Sequence, residues 1–162
     1  MFLIKKIPYK LNEDALLSII TKIVDWTPWV ITRKDKWGHI NFDYKGAETN
    51  CKMYSAFLSD YWDLFLSVEP RLSQFNPNLK KSWITKTKPG GGIFPHIDHQ
   101  RKSNLLIPLG KNKGKVNFHL HYTLPPFRTY EYTGPTIIRT NVTHSAYNTS
   151  SEDRYTLQFY KG

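Results

Sequence analysis

The segment Gly90–Gly110, GGGIFPHIDHQRKSNLLIPLG, contains the pattern that decides the fold. Three glycines lead into an apolar pair, and His96 and Asp98 follow one residue apart. In a β-strand, residues i and i+2 point to the same side, so these two side chains converge on one point. Such a pair suits either a metal ion or an ordinary hydrogen-bonded surface contact. The rest of the sequence has to decide between the two.

Composition limits the class of protein. The chain has 162 residues, enough for one domain with a core of its own, and 15% aromatic residues favour a packed globule. The formal net charge is +10, which attracts anionic partners. Because the basic residues are scattered in pairs, we interpret the charge mainly as solvated surface. Nucleic acid is a possible but less favoured partner.

The single cysteine, Cys51, excludes an internal disulfide and a thiolate metal cluster, and it suits a reducing compartment. The first ten residues lack the apolar core of a secretion signal, and no apolar run reaches membrane-spanning length. We therefore expect a cytoplasmic protein with no membrane partner. The sequence predicts no oligomeric state.

Helical spacing dominates the first half of the chain. Asn12 is a good helix cap, acids follow it, and apolar residues recur at helical intervals to about Trp26. Two short strands are predicted at 29–33 and 39–44, around the polar turn KDKWG. A second helix is predicted at 55–68, where Pro70 follows.

From Ser82 onward, short β-like runs separated by Gly, Pro, Asn and Lys replace the helical pattern. Eight such runs predict a β-barrel or jelly roll, with the helices packed outside one sheet. We expect one domain over 1–162, with helical support and short strands in 1–75 and the barrel core in 82–162. The eight runs are SWITKT, IFPHID, NLLIPL, KVNFHLHYT, FRTYEY, PTIIRT, HSAYN and RYTLQFY.

Two later residues favour the metal interpretation of the opening pair. His144 begins a predicted strand, and Arg154 begins the last strand about ten residues further on. The ordered set of His-x-Asp, distant His and Arg resembles the Fe(II)/2-oxoglutarate-dependent oxygenases. The matching segments are PGGGIFPHID, RKSNLLIPLG and GPTIIRTNVTHSAYNTSSEDRYTLQF. They look closest to the prolyl-hydroxylase-like and aspartyl/asparaginyl-hydroxylase-like branch.

The resemblance implies a double-stranded β-helix (a jelly-roll, cupin-like barrel) supported by helices. It also implies that His96, Asp98 and His144 bind Fe(II). Two imidazoles and one carboxylate bind such an ion on one face and leave positions open for the keto-acid end of 2-oxoglutarate and for O2. Arg154 would bind the far carboxylate of 2-oxoglutarate, since a guanidinium matches a carboxylate with two parallel hydrogen bonds.

Further cosubstrate contacts are expected from two strands. In the last strand, Arg154, Thr156 and Gln158 alternate with apolar residues, so we place the polar set towards the barrel cavity and the apolar set against the helices. Thr156 then becomes a candidate for the same carboxylate, and Asn104 in NLLIPL is a second candidate. The tyrosine that contacts 2-oxoglutarate in some relatives has no counterpart in TKTKPGG, upstream of His96.

The favoured function is hydroxylation of a C–H bond in a peptidyl or free amino acid, of prolyl or asparaginyl type. A nucleic-acid dealkylating oxygenase is an alternative that the charge supports, but the last strand lacks the second arginine usual in that group. A non-enzymatic jelly roll that binds an anionic sugar or nucleic acid is another.

Four further residues have no assigned role at this stage. His119 and His121 form a second i, i+2 pair in a predicted strand, but no acid follows closely enough for a metal motif. We interpret them as lining or surface residues. The sequence does not decide whether they, His99 or Arg101 contact the substrate.

Overall fold

The computed structural model describes residues 2–34, 40–43, 49–98, 101–111 and 114–161. His99, Gln100 and most of the predicted turn KDKWG lie outside these residues. Within the described part, the helices are α1 (Glu13–Ile20), α2 (Leu58–Val68) and two 3-10 segments, Pro70–Phe75 and Leu79–Lys81. The strands there are β1 (Ile4–Lys6), β2 (Thr27–Pro28), β3 (Val30–Lys34), β4 (Ile40–Asp43), β5 (Met53–Phe57), β6 (Trp83–Thr87), β7 (Gly92–His96), β8 (Ser103–Leu109), β9 (Gly114–Phe118), β10 (Arg128–Tyr132), β11 (Thr136–Arg139), β12 (His144–Tyr147) and β13 (Arg154–Phe159).

Two antiparallel sheets build the barrel. The larger has the order β1-β11-β8-β13-β6-β5-β2, and the smaller has the order β10-β9-β12-β7. A separate hairpin joins β3 to β4. From β6 onward the chain passes repeatedly between the sheets, with β6, β8, β11 and β13 in the larger and the other four strands in the smaller. This path is a double-stranded β-helix, so the predicted jelly-roll fold is confirmed.

The helices cover one face of the larger sheet. Apolar side chains of α1 and α2 pack there against the outward residues of β6, β8 and β13. Each large apolar side chain buried in this way contributes about 1.5–3 kcal/mol. No helix in the described ranges has the length and apolar character needed to cross a membrane. The fully buried members of this core include Leu16, Ile20, Leu58, Phe65, Ile84 and Leu157.

The first helix starts where the sequence predicts and ends earlier. Asn12 accepts a hydrogen bond from the backbone N–H of Ala15, as expected of a cap. The helix stops at Ile20, although apolar spacing predicted helix to about Trp26. The hydroxyl of Thr21 donates to the carbonyl of Leu17, a local bond that competes with continued helix. Ile23 is buried all the same, from the turn beyond the helix.

The predicted start of the second helix is wrong. Residues 53–57 form strand β5, and α2 begins only at Leu58. β5 pairs with β6 over its whole length and with β2 at Tyr54 and Ser55. These backbone hydrogen bonds outweigh the local helical spacing, because unpaired strand edges inside a sheet would leave polar groups unsatisfied.

All eight strands predicted after Ser82 are present, and most of their ends lie within two residues of the predicted ends. The exception is KVNFHLHYT, whose strand ends at Phe118, so His119 and His121 lie outside it. The larger sheet also contains β1, β2 and β5 from the stretch assigned to helical support. The barrel therefore draws strands from both halves of the chain.

A buried carboxylate ties the helical layer together. Glu69, 2% exposed, accepts hydrogen bonds from the backbone N–H of Asn12 (2.6 Å) and from the Arg71 guanidinium (2.7 and 2.8 Å). The bonds from Arg71 outweigh burial and lower the pKa of Glu69 to about 2. One side chain thus joins the start of α1 to the segment after α2.

Replacing the buried Glu69 with glutamine is expected to lower the free energy of unfolding at pH 7 by about 2 kcal/mol, since the Arg71 guanidinium and the Asn12 N–H lose a charged acceptor. The wild-type carboxylate stabilises the fold fully above its ordinary pKa of 4.5 and loses that effect as the pH falls towards 2. The difference between the two proteins should therefore shrink between pH 5 and pH 2.5. Urea unfolding at several pH values measures this difference in the free energy of unfolding. Glu152→Gln, a change at an exposed acid, is the control. A difference that stays constant with pH would contradict this role.

Candidate metal centre

Two distant histidines meet because β7 and β12 are neighbours in the smaller sheet. In the antiparallel register His144 lies directly opposite His96. Opposed residues of this kind have Cβ atoms about 4.5–5.5 Å apart, and the two ring centroids are 4.3 Å apart. Both side chains are buried. Strand pairing therefore creates a pair that the sequence separates widely.

Both imidazoles are oriented by the backbone. Nδ1 of His96 lies 2.9 Å from the carbonyl of Phe94, and Nδ1 of His144 lies 2.8 Å from the carbonyl of Val142. An N–H donated to a carbonyl leaves Nε2 with its lone pair free for a metal. The two Nε2 atoms are the ones left to face a shared ion.

Asp98 completes the group. Its Oδ1 lies 3.3 Å from Nε2 of His96, and its backbone N–H donates to the carbonyl of Thr140 (3.0 Å). One ligand atom from each of His96, Asp98 and His144 lies within 4.8 Å of the others, which makes this the candidate metal cluster among the described residues. All three predicted ligands are thus brought together.

The protonation states suit metal binding. Burial, with the neighbouring His96, lowers the pKa of His144 to about 4, so this imidazole is neutral at neutral pH. Burial alone would raise the pKa of Asp98, but its close contact with His96 and nearby positive charges, Arg101 among them, hold it below its usual value. A neutral imidazole and an ionised carboxylate are the forms that bind a metal.

A cavity of about 350 Å³ lies between the sheets, with the three candidate ligands among its lining residues. The inward face of β13 supplies Arg154, Thr156 and Gln158, while Leu157 and Phe159 point into the helical core. This is the alternation expected from the sequence. Asn104 also lines the cavity. The predicted cosubstrate contacts therefore share one space with the metal cluster.

Arg154 has unused hydrogen-bonding capacity inside this cavity. Its Nη1 donates to the carbonyl of Tyr147 (3.1 Å), but its Nε is buried and has no hydrogen-bond partner among the described residues. Burial lowers the pKa of this guanidinium, and the nearby Tyr132 hydroxyl acts in the opposite direction. A buried N–H without a partner costs about 1–3 kcal/mol. An anionic ligand that accepts from Arg154 would remove this cost.

Comparisons with known proteins bear on the fold. No family model matches the chain. Two structures of YcfD from Escherichia coli, one of them described as a ribosomal oxygenase, align with TM-scores of 0.50 and 0.51 at 16% and 13% identity. They cover 93% and 91% of this chain, which spans only 44% and 45% of theirs. At this identity the likeness shows a shared fold.

One curated protein also matches in sequence. It is U3 small nucleolar RNA-associated protein 10 of Aspergillus oryzae, 27% identical over 99 residues. The match covers 56% of this chain and 5% of that protein. Such a short part of a much longer protein assigns no role to this chain.

The sequence analysis missed one residue beside Arg154. Tyr132 of β10 is buried and lines the cavity, and the positive charge of Arg154 acts on its hydroxyl. Its ring packs so closely on Gly114 that a side chain there would collide with it. Tyr132 thus provides a phenol near the guanidinium, where the sequence offered no tyrosine upstream of His96. The alternation in RTYEY was the available signal, but nothing in it indicated which cavity the strand would face.

The second histidine pair does not join the metal cluster. His119 is buried between the carbonyl of Leu124 (2.8 Å) and the hydroxyl of Ser145 (2.8 Å), and His121 is exposed. Both ring nitrogens of His119 are occupied by these contacts. The interpretation of His121 as a surface residue is confirmed, while His119 is a packed residue behind β12.

The chain turns at Pro89 and Gly90, where the N–H of Gly91 donates to the carbonyl of Lys88 (2.9 Å), and Gly92 starts the metal strand β7. The backbone N–H of Gly92 donates to the carbonyl of Cys51 (3.0 Å), and its φ is +152°. A Cβ at this position would collide with the carbonyl of Ala146 in β12. Only glycine therefore allows β7 to lie this close to β12.

Gly92→Ala is expected to lower the free energy of unfolding by about 2 kcal/mol, because alanine is strained at this positive φ and its Cβ would collide with the backbone of β12. It should also weaken metal binding, since β7 cannot move from β12 without separating His96 from His144. Thermal unfolding and Mn(II) titration measure the two effects. Gly134→Ala is the matched control, as its Cβ would meet nothing closer than 3.7 Å. Equal behaviour of the two variants would show that the close approach is unimportant.

Proposed function

We propose that this protein is an Fe(II)- and 2-oxoglutarate-dependent oxygenase that hydroxylates a C–H bond of a peptidyl or free amino acid. One observation carries the proposal. The ligand atoms of His96, Asp98 and His144 lie within 4.8 Å of one another, in the same cavity as a guanidinium with an unpartnered N–H. The fold shared with an oxygenase structure is consistent with this.

The three side chains fit Fe(II). Two imidazoles and one carboxylate form the donor set of non-haem iron oxygenases, which keeps coordination positions open. Metal bonds of about 2.1 Å hold adjacent ligands roughly 3 Å apart, and His96 and Asp98 already approach to 3.3 Å. Bound iron would supply the activation of O2. The carbonyls of Phe94 and Val142 orient the imidazoles of His96 and His144. The carbonyl of Thr140 accepts from the backbone N–H of Asp98.

The cavity fits a dicarboxylate. Arg154 would donate Nε–H and an Nη–H to the far carboxylate in a bidentate pair. The hydroxyls of Thr156 and Tyr132 line the same space and can donate to it as well. Low polarity strengthens these bonds, because apolar residues such as Ile138 and Val116 form much of the remaining wall.

The overall reaction balances with the two co-reactants named. The substrate C–H, O2 and 2-oxoglutarate give the alcohol, succinate and CO2. One oxygen atom enters the alcohol and the other enters succinate, and the oxidation of the keto acid supplies two of the four electrons that O2 requires. The protein's own part is to orient cosubstrate and substrate and to exclude water.

An amino-acid substrate is favoured over a nucleic acid by the last strand. β13 carries one arginine, Arg154, and Lys161 is the other cation in RYTLQFYKG, whereas the dealkylating type usually has a second arginine in this strand. The net charge of +10 would suit a nucleic-acid substrate, so the experiment also tests that alternative.

The test measures succinate by NMR after incubation with Fe(II), 2-oxoglutarate and air. We expect succinate to form, and to disappear without O2 or with a chelator. A proline- and asparagine-rich peptide library should accelerate its formation more than an alkylated oligonucleotide does. Stimulation by the oligonucleotide alone would favour the dealkylating alternative. Absence of both turnover and metal-dependent 2-oxoglutarate binding would overturn the proposal.

A further inference from the structure

A second arginine lies in the cavity, and neither the metal cluster nor the far carboxylate accounts for it. Arg101 follows the metal strand and is a lining residue of the cavity that holds His96, Asp98 and His144. Thr140 joins it to Asp98, since the Thr140 carbonyl accepts from the Asp98 N–H (3.0 Å) and the Thr140 hydroxyl donates to the carbonyl of Arg101 (3.2 Å). Arg101 therefore lies at the metal end of the cavity.

The guanidinium of Arg101 is held in place from three sides. It lies over the ring of Tyr160, 4.5 Å from the ring centroid, and Nη2 donates to the carbonyl of Lys81 (3.0 Å). Nη1 makes a longer contact of 3.4 Å with Oδ1 of Asn104. The backbone is fixed too, since the Thr140 hydroxyl donates to the carbonyl of Arg101 (3.2 Å). A side chain held in this way binds an anion with little loss of conformational freedom.

The two guanidiniums mark opposite ends of the cavity. Arg154 begins β13, and Tyr160, which lies under Arg101, follows its last residue. Six residues of strand place these two backbone positions about 20 Å apart, and the two long side chains reduce that distance from both sides. Each end therefore presents one guanidinium, and the Arg101 end also holds the metal ligands, while Lys115 is a further cation among the lining residues.

We propose that Arg101 binds the carboxylate beside the keto group of 2-oxoglutarate, while Arg154 binds the far carboxylate. This rests on the proposed function. It assigns one cation to each charge of the dianion, and it gives the contact of Arg101 with Asn104 a role. Asn104 positions the guanidinium instead of binding the far carboxylate together with Arg154.

Pyruvate separates the two ends, because it has the keto-acid group and lacks the far carboxylate. The experiment uses the Mn(II)-loaded full chain and measures dissociation constants for 2-oxoglutarate and pyruvate by calorimetry. Arg101→Gln should weaken both ligands by about tenfold or more, the loss expected for a charged hydrogen bond. Arg154→Gln should weaken 2-oxoglutarate only. Lys102→Gln, an exposed neighbour in the same loop, should leave both constants unchanged.

Three outcomes overturn the inference. The first is an Arg101→Gln variant that binds both ligands as Lys102→Gln does. The second is an Arg101→Gln variant that weakens 2-oxoglutarate but not pyruvate, which would place Arg101 at the far carboxylate. The third is a tenfold loss of Mn(II) affinity itself in Arg101→Gln, which would show a structural role. Failure of the wild-type protein to bind either keto acid would instead count against the proposed function.

Discussion

Replacing Asp98 with alanine is expected to lower Fe(II)-dependent turnover of 2-oxoglutarate by at least about a hundredfold. Changes to residues that merely support metal ligands already cost ten- to a hundredfold, and Asp98 is the carboxylate of the three candidate ligands. Without it only the two imidazoles remain, and the site lacks the negative charge that attracts a divalent cation.

The same variant should fold normally. The side chain of Asp98 is 26% exposed, and its backbone N–H still donates to the carbonyl of Thr140 after the change. Mn(II) calorimetry and succinate formation should therefore both fail while the melting temperature stays within a few degrees. Asp60→Ala, an exposed acid on α2, is the matched control and should behave as wild type. An Asp98→Ala protein that binds Mn(II) with wild-type affinity would refute the assignment of this ligand.

Replacing Arg154 with glutamine is expected to raise the dissociation constant for 2-oxoglutarate by about thirtyfold or more. Removing one partner of a buried, hydrogen-bonded charge pair costs at least about 2 kcal/mol. Arg154 has a buried Nε without a partner among the described residues, so a bound dicarboxylate would be the acceptor that satisfies it. We expect an effect on binding, because in the proposed arrangement the guanidinium contacts the end of the cosubstrate away from the metal.

Saturation kinetics distinguish this role from a general loss of structure. The KM for 2-oxoglutarate should rise while kcat at saturation changes little. Arg154→Lys, which keeps the charge without the planar fork, should show a smaller rise. Arg128→Gln is the control, since Arg128 is exposed on β10 and lies over the ring of Tyr130. An unchanged KM in Arg154→Gln would show that the far carboxylate is bound elsewhere.

Local pattern predicted the strands well because strand signals are local. Alternation occurs within each run of five to nine residues and breakers separate the runs, so all eight runs after Ser82 could be recognised one at a time. The helix predicted from residue 55 is wrong over 55–57, because contacts with distant segments decide the conformation there. These residues have helical apolar spacing, but they pair as a strand with β6 and β2, which are far away in sequence.

The sequence by itself determined the kinds of side chain available for chemistry: a His-x-Asp pair at a strand end, a later histidine, and an alternating last strand with Arg154 at its start. The number of short strands also limited the fold to a β-barrel or jelly roll, and the resemblance to the Fe(II)/2-oxoglutarate-dependent oxygenases implied the double-stranded β-helix.

Only the tertiary structure decided which of these side chains meet. The register of β7 with β12 places His144 opposite His96, and a shift of one residue would turn His144 away from the cavity. Packing between the sheets likewise brings Tyr132 and Arg101 into the cavity from segments whose sequence did not indicate that they would face it. Register and packing arise from hydrogen bonds and contacts between distant segments, and no short stretch of sequence contains both partners.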